Sequence, residues 1–277
     1  MSEKSMLSPE LKRQLENQPI DLPVFHPIAL RLQRMLANYD FTVDEVSKVA
    51  SEDQALAGQM LRMANSPFYA GLTKVLTIRD AVVRLGAQQV ANLAMAVTQA
   101  DSHRSRNPEI QSLMVALWRH SHSCAIGCKW LADNCGFRGI AQETFLAGLL
   151  HDVGKLYLLK GMENLLACGS MISAGEMGVA LDEMHVEMGV RLMEHWDFPE
   201  LFVEVVRDHH GDDWDQSNES LAIVRLVNRA CRKIGIGLNQ DTSLLLAGTA
   251  EARTLEMKDL ELAELEVMLE DSLEIDI

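Results

Sequence analysis

The sequence predicts an all-α protein, and three observations carry that prediction. Of its 277 residues 48% are hydrophobic but only 5% aromatic, so the apolar mass is aliphatic, as helix-on-helix packing favours and a strand sandwich does not. Leu, Ala, Met and Glu, all good helix formers, are abundant. Apolar residues recur at helical spacing in segment after segment, and no run shows the convincing alternation of a half-buried strand. The length suits one large domain or two small ones with a substantial core.

Taken in order, residues 1 to about 17 are polar and predict a short, loosely held helix that Ile20-Asp21-Leu22-Pro23 breaks. Ile28, Leu30, Leu32, Met35 and Leu36 fit one helix over residues 26–38. Thr42 with Glu45, and Ser51 with Gln54, read as capping boxes opening two further helices, the second stopped at Asn65-Ser66-Pro67. After a loop over residues 70–76, Thr77 caps a helix that Gly86 ends, and another follows over residues 88–100. That pair has the outline of a DNA-reading helix-turn-helix, but its second helix offers Gln88, Gln89 and Asn92 and no Arg or Lys. The polar stretch 101–108 marks a seam.

A long helix is expected over residues 110–134, then one from about 141 that delivers His151-Asp152, one over 161–173 and one over 181–196. Pro199 opens a helix ending at His209-His210, and Ser220 opens another. Residues 251–277 hold ten Asp or Glu against two Lys or Arg, with leucines at helical spacing. They predict an amphipathic acidic helix that packs back on the domain or seeks a partner, then frays.

A formal charge of -15 disfavours direct nucleic-acid binding, which needs a cationic surface. No stretch of about 18 uncharged apolar residues is present to span a membrane. The five cysteines form no CxxC pair, and there is no apolar N-terminal signal, so reduced thiols in the cytoplasm are expected. Cys124 and Cys128 share a helix face, as two zinc ligands would, but without a second Cys/His pair they read as ordinary buried cysteines.

The chemistry centres on His151-Asp152. They end the run Phe145-Leu146-Ala147-Gly148-Leu149-Leu150, which is apolar nearly all round and therefore reads as buried. A buried carboxylate beside an imidazole needs compensation from a metal ion or an ion pair, or the two must satisfy each other by hydrogen bonds. His120, His185 and the His209-His210 pair stand on other predicted helices, at intervals that suit ligands brought to one depth of an antiparallel bundle. Imidazole and carboxylate together suit Zn, Fe, Mn or Ni.

These residues resemble a known family. Leu150-His151-Asp152-Val153-Gly154-Lys155 is similar to the HDxGK motif of the HD superfamily of metal-dependent phosphohydrolases, in its HD-GYP branch. Leu22-Pro23, Ser51-Glu52-Asp53-Gln54-Ala55-Leu56, Met63-Ala64-Asn65-Ser66-Pro67-Phe68-Tyr69 and Asp80-Ala81-Val82-Val83-Arg84-Leu85-Gly86 make the chain look like an HDOD domain, a regulatory relative of those enzymes. Leu117-Trp118-Arg119-His120-Ser121 and His195-Trp196-Asp197-Phe198-Pro199 continue the likeness, which covers residues 18–235. It implies an HD-domain-like multi-helix bundle over about 111–235, an N-terminal helical HDOD subregion over about 18–105, and an acidic helical extension over 236–277 outside the family.

Carried over by position, the resemblance makes His120, His151, Asp152, His185, His209 and His210 ligands of one or two divalent transition metals, Fe, Mn, Zn or Ni. Asp152 would bridge the two and Lys155 would face a substrate phosphate, so these two are the expected catalytic residues. Two departures stand out. The slot for the last HD aspartate is filled by Asn228, a weaker candidate ligand that offers a carbonyl oxygen and no charge. After His209-His210 the chain reads Gly211-Asp212-Asp213-Trp214, without the Gly-Tyr-Pro segment, which disfavours cyclic-di-GMP as substrate. The resemblance implies a bacterial signal-transduction protein that keeps a metal site and acts through a signalling partner or small phosphorylated ligand, with a metal-dependent phosphohydrolase as the alternative.

Overall fold

The computed structural model describes residues 7–19, 26–37, 41–66 and 74–272, and every regular element among them is helical. Leu22-Pro23, Pro67-Phe68-Tyr69 and Leu273 lie outside the described residues. The chain divides into two compact units, Phe25–Ser102 and Met1–Val24 with His103–Ile277.

The smaller unit holds α2 (Pro27–Ala37), α3 (Val43–Ala50), α4 (Gln54–Ala64), α5 (Ile78–Leu85) and α6 (Ala87–Ser102). Within it α2 packs on α3 and α6, and α5 packs on α3 and α4, around Leu30, Leu32, Val46, Leu56 and Met60. The Thr42–Glu45 capping box is present. Ser51 does not cap α4: its hydroxyl donates to the Ser47 carbonyl at 2.6 Å, and Asp53 accepts from the Leu56 N–H at 2.8 Å instead. Thr77 caps α5, and Gly86, at φ 85°, ends it in a backbone region that suits glycine.

The larger unit begins with α1 (Pro9–Glu16), which is better anchored than its polarity predicts. Leu11 and Leu15 are buried, Leu15 sits over Gly161, and the Tyr157 hydroxyl donates to the Gln18 carbonyl at 3.0 Å. There follow α7 (Pro108–Asn134), a 3-10 turn at Arg138–Ile140, α8 (Ala141–Leu150), α9 (Val153–Ala167) and α10 (Ala174–His195). The expected helix over 161–173 is corrected by α9, which starts directly after Asp152 and ends at Ala167. The Ser173–Glu176 capping box then opens α10 seven residues before the expected start at Leu181.

After α11 (Glu200–Asp208), α12 (Glu219–Ile234) is capped by Asn218 rather than opened by Ser220. The C-terminal stretch is not one helix. A 3-10 turn at Leu246–Gly248 leads to α13 (Ala250–Thr254), Glu256 takes φ 53°, and α14 (Asp259–Asp271) begins anew. Leu262, Leu265 and Leu269 are buried as α14 packs on α7 and α12, so the acidic helix packs back. Antiparallel packing of α7 on α8, α9 on α10 and α12 across α7 and α8 forms the bundle that carries the site.

Candidate metal centre

Five elements each bring one part of the site. His120 lies in α7, His151 closes α8, and Asp152 opens α9, with Lys155 one turn in. His185 is in the middle of α10, His209 closes α11, and His210 follows. Asp152 has φ -103° and ψ 17°, a bridge between α8 and α9 common at functional sites, and its carboxylate does not cap α9. That frees both oxygens for the interior, where Asp152 is 1% exposed.

The two oxygens face different groups. His120 Nε2 and His151 Nε2 stand 3.5 and 3.4 Å from Oδ2, and His185 Nε2 and His209 Nε2 stand 3.7 and 3.4 Å from Oδ1. His210, exposed at the rim, completes a group with Asp152, His185 and His209 whose donor atoms lie within 4.8 Å of one another, and His120, His151 and Asp152 form another. Lys155 Nζ reaches Oδ2 at 2.7 Å.

Hydrogen bonds fix the tautomers. Nδ1 of His120, His151 and His209 meets the carbonyl oxygens of Ile236, Gly148 and Val206 at 3.0, 2.8 and 2.8 Å. A carbonyl only accepts, so each Nδ1 carries the proton and donates it, which turns Nε2 inward as the potential ligand atom. Burial then pushes His151 well below the ordinary histidine range, which leaves its Nε2, 3.2 Å from His120 Nε2, an acceptor that also faces a carboxylate oxygen. Asp152 Oδ1, His185 Nε2 and His209 Nε2 are buried and make no hydrogen bond among the described residues. A cluster of inward lone pairs around one carboxylate is what a divalent cation satisfies, so the residues fit such a group.

The other charges follow from burial and neighbours. Burial would raise Asp152, but Lys155 and the imidazoles hold it well below the carboxylate range. Burial takes His185 down to about 4. His120 is raised, because the Cys231 thiol and the Asp152 charge outweigh the effect of burial.

Of the residues the sequence singled out, His120, Asp152, Lys155, His185, His210 and Asn228 line one cavity of about 370 Å³, while His151 and His209 stand outside its wall against the Asp152 carboxylate. His122 is not among them and lies against Trp118, ring centroids 5.4 Å apart. Sequence reasoning missed Asp182 and Arg232 in the cavity wall. Helical register carried the signal, since they stand one turn from His185 and Asn228. It also read Cys124 as an ordinary buried cysteine and gave Cys231 no role, whereas the two approach at 3.6 Å beside His120.

Residues 22–211, more than half of the chain, match the HDOD domain. The chain belongs to the HDOD domain family. Among solved structures, this HDOD protein is similar to an HDOD domain protein of unknown function from Geobacter sulfurreducens, at TM-score 0.70 and 24% identity over 95% of this chain and 94% of that one. It is also similar to a Shewanella amazonensis SB2B protein provisionally named a metal-dependent phosphohydrolase, at TM-score 0.66 and 21% identity over 96% and 97%. A curated Treponema pallidum (strain Nichols) protein without assigned function is 25% identical over 198 residues, 69% of this chain and 38% of that protein. The chain thus spans about two fifths of the length of that relative. These likenesses establish the all-α HDOD fold, and no helix among the described residues is long and apolar enough to cross a membrane.

Proposed function

We propose that this HDOD protein is a signal-transduction module whose HD-type cage holds divalent cations, and whose output is the binding of a partner protein or a small phosphorylated ligand. The cage supports the cations through the inward lone pairs around Asp152. The observation that carries a binding role over turnover is the place of Asn228. α12 sets it in the wall of the same cavity as His120 and Asp152, so that wall has an amide where the HD pattern has a second carboxylate. A net charge of -15 supports partners other than nucleic acid.

A second reading, a metal-dependent phosphohydrolase, is favoured by Lys155. Its ammonium lines the cavity beside Asp152, where it could hold a phosphate oxygen. When bound, the cations would polarise a phosphoester and lower the pKa of a water. Asp152 would orient both ligand groups through its two oxygens, His210 would stand at the rim, and Lys155 would balance phosphate charge.

Turnover separates the two. Protein saturated with Mn(II), Fe(II) or Zn(II) is assayed on phosphomonoesters, phosphodiesters and nucleotides beside Asp152→Ala and His151→Ala. The binding reading predicts no hydrolysis above the variants. Hydrolysis that collapses in both variants would replace it with the enzyme.

A further inference from the structure

We propose that Cys231 is a metal ligand: its thiolate, presented by α12 one turn beyond Asn228, completes the cation position on His120 and makes it a mixed sulfur, nitrogen and oxygen centre. The inference rests on the reading that the cage holds cations, and it concerns how that charge is balanced.

Two divalent cations in the cage would face one carboxylate, Asp152, and four or five neutral imidazoles. A buried excess of positive charge is costly, and HD-type sites reduce it with an aspartate where this chain has Asn228. α12 must therefore supply the missing negative charge from another position or leave it missing. Residues three apart on a helix share a face, and Cys231 stands three residues after Asn228. Cys231 is fully buried and Asn228 5% exposed, both on the side of α12 that packs on α7 and α8.

The thiol already belongs to a ligand group. His120, Cys124 and Cys231 are all buried, and their donor atoms lie within 4.8 Å of one another. His120 is shared between this group and the one formed with His151 and Asp152, so one imidazole stands beside both the thiols and the carboxylate. Ile236, five residues beyond Cys231, accepts the His120 Nδ1 proton and keeps Nε2 as the ligand atom. Cys124 Sγ, 3.8 Å from His120 Nε2 and 3.6 Å from Cys231 Sγ, is placed to donate its S–H to the Cys231 sulfur.

A sulfur donor also sets preference. Thiolate favours Zn(II) and Fe(II) over Mg(II) and Mn(II), whereas the position formed by Asp152, His185, His209 and His210 has only nitrogen and oxygen donors. The two positions of one cage would then take different metals.

The test is X-ray absorption at the zinc edge on full-length protein saturated with Zn(II), with circular dichroism to verify that each variant is folded. The expected result is a sulfur shell at about 2.3 Å, lost in Cys231→Ser and kept in Cys124→Ser. Bound zinc with only nitrogen and oxygen neighbours in the wild type overturns the proposal and leaves the cation reading intact. A sulfur shell that survives Cys231→Ser overturns the assignment to Cys231. Wild-type protein that takes up no zinc overturns the cation reading and this proposal with it. The wild-type spectrum decides whether a thiol ligates zinc, and where Cys231→Ser fails to fold, loss of the sulfur shell in Cys124→Ser overturns the assignment to Cys231.

Discussion

Gly154 and His185 approach so closely where α9 crosses α10 that a Cβ on Gly154 would overlap the His185 carbonyl oxygen and come within 2.7 Å of the Gly189 backbone nitrogen. Asp152 enters α9 two residues before Gly154, so this contact fixes the distance between its carboxylate and the His185 ring. The glycine of the HDxGK motif is thus a helix-crossing residue. Gly154→Ala is expected to force α9 and α10 apart and to destabilise the protein by ~1–3 kcal/mol or more, the usual cost of overpacking. Urea unfolding measures this, and wild-type stability in the variant would mean that the crossing gives way cheaply.

Lys155 compensates the Asp152 charge, its Nζ 2.7 Å from Oδ2. Its side chain is 12% exposed against 1% for Asp152, and removing one partner of such a pair costs about 3–5 kcal/mol. Lys155→Met should therefore destabilise the metal-free protein strongly. Bound cations supply alternative compensation, so added Zn(II) or Mn(II) should raise the melting temperature of the variant more than that of the wild type. Equal metal-induced shifts, read by differential scanning fluorimetry, would contradict the role given to Lys155.

Acid sensitivity follows from two buried imidazoles. Burial lowers His122 and His185 from the ordinary 6.5 to about 4. Between those values the unfolded chain binds more protons than the folded one, so stability rises with pH across the window and is lost as pH falls from 6.5 toward 4. His122→Gln, which removes the imidazole that lies against Trp118 rather than in the cage, should flatten part of that slope in metal-free protein. An unchanged slope of the urea midpoint against pH would show that His122 does not contribute.

A buried ion pair ties α13 to the site. Arg225 Nε donates to Glu251 at 2.8 Å with both side chains at most 3% exposed, and Arg225 Nη1 donates to the Asp208 carbonyl at 2.6 Å, next to His209. Glu251→Ala leaves a buried guanidinium uncompensated and is expected to cost about 3–5 kcal/mol. Glu251 is held below the carboxylate range, where Arg229 and Arg225 with a backbone hydrogen bond outweigh burial, so its contribution is present above about 4.5 and fades as pH falls through its folded value. Chemical denaturation at neutral and acid pH checks both statements.

Much of the fold and the site could be read from residues alone, for identifiable reasons. The Thr42 box, the Thr77 cap and the Gly86 stop are local devices, and local hydrogen bonding decides them. His120, His151, His185, His209 and His210 were legible because a polar residue on an otherwise apolar helix needs a partner. The misplaced boundaries lie where local signals compete. Ser51 and Asp53 both offer an oxygen ahead of α4, and only the course of the chain decides that Asp53 is used. The start of α9 was hidden because Asp152 faces the interior instead of capping its helix. The break before α14 carries no Gly or Pro, and the turn is made by Glu256 at positive φ. The approach of Cys124 to Cys231 depends on which helix faces meet across the bundle, which periodicity within one helix does not state.

The central claim is that the imidazoles and Asp152 form a cation cage, and metal stoichiometry tests it most directly. Protein purified anaerobically and equilibrated with Zn(II), Fe(II) or Mn(II) is analysed by elemental mass spectrometry beside Asp152→Ala. The cage predicts bound divalent metal in the wild type, near two ions per chain at saturation for two groups sharing one carboxylate, and a large loss in Asp152→Ala. Wild-type protein that retains no metal under any of these conditions, or a variant that retains as much as the wild type, would contradict it.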